Sequence, residues 1–340
     1  MQREKYSRQI LFPGIGEEGQ EKLLNSSAVI VGCGALGSMV ASLLVRAGVG
    51  RLRIIDRDFV EPSNLQRQSL FDESDAREGL PKAIAAARRL RDINSDILVE
   101  PHIADLASGN APELLDGFNL ILDGADNFET RLLVNDFSVS AGVPWIYAAV
   151  LGSYGLTMTI LPAQTACLAC LREGYEAASP VEEATCDTVG VLNAAVGVIA
   201  SLEAAEALKI LSGHPEALHH RLLSFDIWTG RSQFLRIPRR PDCRACVHHQ
   251  FRWLEGRDQP HVTMCGRNSV QIHERRRQLD LVVLADRLRG VAQDVRQNSF
   301  LLRFRVPPCE LTVFPDGRAI ITGTQDPALA RSLYARFLGA

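Results

Sequence analysis

Gly32-Cys33-Gly34-Ala35-Leu36-Gly37 is the run that most narrows what this chain can become. It fits G-x-G-x-x-G and sits between the apolar stretch Ala28-Val29-Ile30-Val31 and a helix-forming segment from about Ser38 to Ala47. Strand, glycine turn and helix in that order call for a parallel α/β sheet. The first glycine permits the tight turn, the second lets backbone approach a phosphate, and the third lets the helix close on the strand. The helix opening then offers unpaired N–H groups to an anion. The apolar run Ala28 to Val45 approaches membrane-spanning length, but Gly32, Gly34 and Gly37 divide it into a strand half and a helix half, which excludes a spanning helix.

The alternation continues. Arg51-Leu52-Arg53-Ile54-Ile55-Asp56 repeats the strand signature and ends in an acid about twenty residues beyond the loop, where an acid can accept hydrogen bonds from a ribose. Pro81 to Leu90 reads as a helix opened by proline, and Asn119 to Asp123, Pro144 to Val150 and Tyr154 to Leu161 read as strands. Val189 to Leu211 reads as a long helix, apolar in its first half and amphipathic in its second through Glu203, Glu206 and Lys209. The expected fold is α/β: a Rossmann-like, mostly parallel sheet flanked by helices, with a structural zinc site and a small C-terminal α+β lobe.

Between Arg236 and Arg267 the composition shifts to Arg, His and Pro. The expected division is residues 1–250, a linker at 251–268, and a lobe at 269–340. The lobe should hold a polar helix around Leu279 to Val291, strands near Phe300 to Val306 and Glu310 to Phe314, a turn at Pro315-Asp316-Gly317, a last strand, and a helix from Pro327 to Phe337. A net charge of -3 on 340 residues gives no global reason to expect nucleic acid or an anionic membrane as partner. The charged start Met1 to Arg8 lacks the apolar stretch of a secretory signal, so a cytoplasmic site is expected.

Four of the eight cysteines form Cys167-x-x-Cys170 and Cys243-x-x-Cys246, the raw material for a tetrahedral, closed Zn²⁺ site. Two redox pairs are the alternative, although no thioredoxin-like context flanks either. Cys186 precedes the long helix, where a helix N-terminus can lower a thiol pKa. Cys33 reads as a packing residue, and Cys265 and Cys309 as non-ligands.

The glycine loop and Asp56 alone suit a nicotinamide-dependent dehydrogenase as well as an ATP enzyme. The block Asp56-Arg57-Asp58-Phe59-Val60-Glu61-Pro62-Ser63-Asn64-Leu65-Gln66-Arg67-Gln68 separates them, because hydride transfer has no use for such a crowd of polar groups. With this block the chain resembles the ThiF/MoeB/HesA family of ubiquitin-activating-like adenylyltransferases, whose members carry an acid, four residues, then Ser-Asn-Leu-x-Arg-Gln after a glycine loop. The resemblance extends through Tyr6-Ser7-Arg8-Gln9, Pro81-Lys82, Asp123-x-x-Asp126-Asn127, both cysteine pairs and Thr185-Cys186. It leaves the C-terminal lobe outside.

That resemblance implies an enzyme that uses Mg²⁺-ATP to adenylate the C-terminal Gly carboxylate of a ubiquitin-like sulfur-carrier protein ending in Gly-Gly. It implies that the loop of Gly32, Gly34, Ala35 and Gly37 faces the phosphates, although many relatives carry Gly where this chain has Ala35. Asp56 would hold the ribose, Asn64, Arg67 and Lys82 would clamp phosphates, and Asp58, Ser63, Gln68 and Asn127 would complete the nucleotide site. Asp126 would help hold Mg²⁺, and Arg8 would cross a homodimer interface to the partner's ATP. Cys186 would form a covalent link to the carrier or handle sulfur, or else be a reactive but dispensable thiol. A carboxylate attacking a phosphate brings anion toward anion, so fixed cations are what the chemistry requires; Arg gives bidentate contact and Lys a point charge. No rhodanese-type active-site loop follows residue 265, so a separate sulfur donor is expected. Adenylation of a peptide or other small carboxylate, a catalytically silent scaffold and an NAD-dependent oxidoreductase are the other readings, and the carrier's pathway stays open.

Overall fold

The computed structural model describes residues 2–172, 189–257, 263–265, 269–272 and 278–338. It divides into two compact units, Met1–Asp258 and Gln259–Ala340. In the first, eight strands form one sheet: β1 (Ser27–Val31), β2 (Arg51–Asp56), β3 (Leu98–Ile103), β4 (Leu120–Asp123), β5 (Trp145–Leu151), β6 (Tyr154–Ile160), β7 (Leu222–Asp226) and β8 (Arg231–Leu235). Their order is β3-β2-β1-β4-β5-β6-β7-β8. The five strands from β3 to β5 run parallel, and β6, β7 and β8 add on antiparallel.

The central strands are buried on both faces, which is why β1 and β4 read as unbroken apolar runs. Helices cover them. The Ala35–Ala47 helix stops at Gly48, whose φ of 88° supplies the left-handed cap a side chain would resist. Pro81 stands at the N-cap of the Lys82–Ile93 helix, which turns Ala83, Ala86, Ala87 and Leu90 inward. Strand order reverses between β1 and β4. Loops leaving the C-terminal ends of the strands on either side of such a switch point diverge and open a crevice.

The long helix differs from expectation in two ways. It begins at Asn193, with Gly190 at φ 82° and a bridge from Gly152 to Val191 ahead of it. Its second half is not amphipathic toward solvent, since Glu203 and Glu206 are 0% and 2% exposed. Both acids have internal partners: the Asp123 N–H reaches Glu203 Oε1 at 3.0 Å, while Glu206 receives Thr159 Oγ1 at 3.0 Å and Lys209 Nζ at 2.5 Å. A buried acid with partners costs far less than one without.

In the second unit, β9 (Thr263–Cys265), β10 (Ser269–Ile272), β11 (Gln293–Gln297), β12 (Leu302–Val306), β13 (Cys309–Val313) and β14 (Ala319–Thr322) form an antiparallel sheet ordered β11-β12-β13-β14-β10-β9. β9 falls in the stretch read from sequence as linker. The Leu281–Leu288 helix, capped by Asp280, is shorter than expected and amphipathic rather than polar, turning Leu281, Leu284, Ala285 and Leu288 inward. With the Pro327–Leu338 helix it covers Val270, Leu302, Phe304, Leu311 and Ile321 in a separate core. Among the described residues, no helix is long and apolar enough to cross a membrane.

Candidate active site

The floor of the crevice is backbone against backbone. Gly32 leaves β1 at φ 90° and donates its N–H to the Ile55 carbonyl at 2.8 Å. A Cβ on Gly32 would fall on the Gly124 carbonyl, and one on Gly37 or Gly124 would fall on the Gly32 carbonyl. The turn after β1 and the turn after β4 are therefore in contact. Gly124 escaped the sequence reading because nothing near it repeats the motif. Gly34 plays another part: a Cβ there would meet only Gln68 Nε2, 3.9 Å away, so its backbone faces open space at the N-cap of the Ala35–Ala47 helix. Among the described residues no side chain caps that helix, and its first amides are available to an anion.

Asp56, at the end of β2, is 7% exposed and ties two loops together. One carboxylate oxygen accepts the Cys33 N–H at 2.6 Å and the other the Asp58 N–H at 2.7 Å. Burial raises its pKa, against the pull of Lys82. Lys82 opens its helix with Nζ 3.2 Å from Asp58, and its N–H donates to the Asp58 carbonyl at 2.9 Å. Burial works to lower the Lys82 pKa, but Asp58, Asp56 and Asp126 together outweigh it and hold the side chain as a cation. These four charged groups share one field.

Around them, Asn64 is 1% exposed and accepts the Glu61 N–H through Oδ1 at 3.1 Å, which closes the turn Pro62–Asn64. Ser63 is exposed, and half-buried Arg67 donates to the Ser63 carbonyl at 2.8 Å. Gln68 is 4% exposed, and its Oε1 has no partner among the described residues. Asp126 is exposed and accepts from Asn127 Nδ2 at 3.1 Å; Asn127 in turn caps the Phe128–Ala141 helix by accepting the Thr130 N–H at 2.8 Å.

Arg131 was missed by the sequence reading. It is buried beneath this loop, with Nε 2.9 Å from Asp123 Oδ2 and Nη2 2.7 Å from the Ala125 carbonyl. Its only sequence signal is a place in the first turn after Asn127. Arg8 lies exposed on the short Ser7–Ile10 helix. Cys186 and Thr185 fall outside the described residues.

Cys167, Cys170, Cys243 and Cys246 are all buried, with their four Sγ atoms within 4.8 Å of one another. Between the pairs, Cys167 to Cys243 is 3.7 Å and Cys170 to Cys246 is 3.5 Å; within the first pair the distance is 4.0 Å. Metal–sulfur bonds of ~2.3 Å in a tetrahedron put the sulfurs about 3.8 Å apart, so the donors suit Zn²⁺. Both distances between the pairs are shorter than the one within the first pair, which makes this one four-sulfur site rather than two redox pairs. Cys33 is fully buried, and burial pushes its thiol pKa up, as suits a packing residue. Cys309 is buried in the second unit's core.

A glycine floor, an acid closing β2 and a polar crevice at the switch point define a nucleotide-binding α/β protein. The chain belongs to the ThiF family, whose model matches residues 6–245. It is 44% identical over 339 residues to the sulfur carrier protein ThiS adenylyltransferase of Bacillus subtilis (strain 168), covering 98% of this chain and 99% of that relative. Against the adenylyltransferase and sulfurtransferase MOCS3 of Xenopus laevis it is 39% identical over 244 residues, 71% of this chain and 53% of that one. Among solved structures, E. coli MccB with ATP is similar with a TM-score of 0.62 and 26% identity, covering 71% of this chain and 74% of that one.

Proposed function

We propose that this chain is an adenylyltransferase that activates the C-terminal Gly carboxylate of a ubiquitin-like sulfur-carrier protein of the ThiS type, using ATP. The observation that carries the reading is the 44% likeness to a ThiS adenylyltransferase, because it runs through both units rather than the ThiF-matching part alone. In the reaction, a carboxylate oxygen of the carrier attacks the α-phosphorus of ATP. The bond from that phosphorus to the bridging oxygen breaks, and pyrophosphate leaves with the electron pair.

The residues of the crevice suit that chemistry. Backbone N–H groups at Gly34 and Ala35 face the phosphates, and Asp56 oxygens keep lone pairs for ribose hydroxyls after accepting their two backbone bonds. Lys82 is held as a cation by its acid neighbours. With Arg67 and Asn64 it offsets charge moving onto the leaving group. The exposed carboxylate of Asp126 is a hard oxygen donor of the kind Mg²⁺ accepts while keeping most of its water, and the ion would neutralise phosphate charge. Asp58, Ser63, Gln68 and Asn127 complete the nucleotide site. Cys167, Cys170, Cys243 and Cys246 would hold Zn²⁺ with all four positions filled, so the ion would supply fold and no reactive ligand. A homodimer that brings Arg8 to the partner's site, a thiol role for Cys186, a separate sulfur donor and a cytoplasmic site complete the proposal.

ATP–pyrophosphate exchange tests it, using purified carriers ending in Gly-Gly and a matched Asp126→Ala variant. Exchange that needs both a carrier and Asp126 supports the reading. Exchange driven by short peptides but by no carrier would replace it with peptide activation.

A further inference from the structure

Two side chains midway along the Phe128–Ala141 helix have no part in the crevice. Asn135 and Asp136 are both 0% exposed, and both engage the cysteine knuckles. Asn135 Oδ1 accepts the Leu168 N–H at 2.8 Å, inside the knuckle between Cys167 and Cys170. Asp136 Oδ2 accepts from Arg244 Nη1 at 3.4 Å, inside the knuckle between Cys243 and Cys246, and from the Trp253 N–H at 2.9 Å. An amide carbonyl and a carboxylate persist in a core only with such donors. The knuckles lie 76 residues apart in the chain, yet consecutive residues of one helix reach both.

The opposite end of that helix is equally fixed. Asn127 caps it, and Arg131 in its first turn holds Asp123, the Ala125 carbonyl and, at 3.0 Å, the Ala148 carbonyl. Asp126 directly precedes the cap. From Asn127 to Asn135 the helix spans about 12 Å without a break, a stiff connection. Other ties reach the knuckles without this helix: the Arg240 N–H, just ahead of the second knuckle, donates to Cys170 Sγ at 3.5 Å, and Arg239 donates through Nη2 to the Cys246 carbonyl and through Nη1 to the Ala163 carbonyl at 3.2 Å.

We infer that Asn135 and Asp136 are positioning residues that hold the two cysteine knuckles in register and fix the four-sulfur site to the helix whose first turn sets the Asp126 loop. Groups that orient metal ligands from behind govern how readily the metal leaves. The link to Asp126 rests on the adenylation reading; the hold on the knuckles does not.

The test is the rate at which zinc-loaded full-length protein releases zinc to an excess of a chromophoric chelator. Asn135→Leu and Asp136→Leu are expected to accelerate release about 10–100-fold. Asn135→Asp and Asp136→Asn, each keeping an acceptor oxygen, should fall between those and the unaltered protein. Ser138→Ala is the control: it removes the Ser138 Oγ bond to the Val143 carbonyl from the same helix without touching a knuckle, and should leave release unchanged. Should the Leu variants fail to fold, Asp136→Asn must still release zinc faster than Ser138→Ala. Unchanged release from the Asn135 and Asp136 variants, or equal acceleration in Ser138→Ala, overturns the assignment. Zinc-saturated variants should also lose exchange kcat in step with their release rates, and full exchange in a fast-releasing variant overturns the link to Asp126. If the unaltered protein shows no exchange with any substrate, the functional reading fails while the release rates still decide the knuckle claim.

Discussion

The two units are built from similar parts to different effect. Each is a sheet covered by helices, yet among the described residues only the first gathers charged groups into a crevice. In the first, β1, β2 and β4 run parallel, so the loops after Val31, Asp56 and Asp123 all emerge at the same edge. In the second, neighbouring strands are antiparallel, as in the pairing of β12 with β13 and β13 with β14, and strand ends alternate between two edges. Parallel order with a switch point concentrates loops, whereas a meander disperses them. The second unit accordingly invests in a core of Phe304, Leu311, Val313, Tyr334 and Phe337.

The largest effect should come from the metal. Structural Zn²⁺ contributes on the order of 10 kcal/mol to folding. Calorimetry of the full chain with excess chelator is expected to abolish or sharply lower one unfolding transition and leave another in place. A single transition that moves as a whole would show that the units share stability. Next come the crevice charges: Lys82→Ala and Asp126→Ala should each lower carrier-dependent exchange by about 10²–10³-fold while circular dichroism stays unchanged. No charge reversal in the second unit, Asp316→Lys for instance, should approach that loss.

A smaller contrast concerns glycines of the same backbone type. Gly32→Ala combines φ 90° with a collision on the Gly124 carbonyl and should cost about 3 kcal/mol or more, together with nucleotide affinity. Gly323→Ala, at φ 99° and 2.8 Å from the Pro308 carbonyl, should cost about 1–2 kcal/mol and leave exchange alone. Urea titrations with parallel ATP-binding assays would separate the two.

The smallest effect is a slope. Burial raises the Glu203 carboxyl well above its ordinary 4.5, and Asp123 adds to the rise while the Asp123 N–H and Arg131 oppose it. The folded chain therefore keeps a proton that the unfolded chain loses, and stability must fall as pH rises above 4.5 toward the folded-state value. Glu203→Gln should flatten that part of the profile, improving urea midpoints near about pH 8 and not near about pH 4. Equal shifts at both ends would mean that packing, not protonation, sets its contribution.

Glu203 also marks where sequence reading stopped. The glycine loop, Asp56 and the Cys-x-x-Cys spacings were legible because each is a local pattern with a local cause. Glu203, Glu206 and Arg131 were not, since their partners Asp123, Thr159 and Ala148 come from other strands and burial cannot be inferred from a charged letter. The same limit hid Asn135 and Asp136, two polar residues in a helix whose outward and inward faces only the packing distinguishes. Strand β8 went unread because it is exposed at all five positions and shows no alternation of burial.

The contact of Gly32, Gly37 and Gly124 carries a consequence for redesign. Each of these positions is closed at shortest range by another's backbone carbonyl, so trimming a neighbouring side chain cannot make room for a new group at any of them. The floor of the crevice is therefore a fixed datum. Attempts to shift nucleotide or acceptor preference have to work from the rim, at residues such as Ser63, Arg67 and Gln68, where alteration leaves the two turns seated on each other.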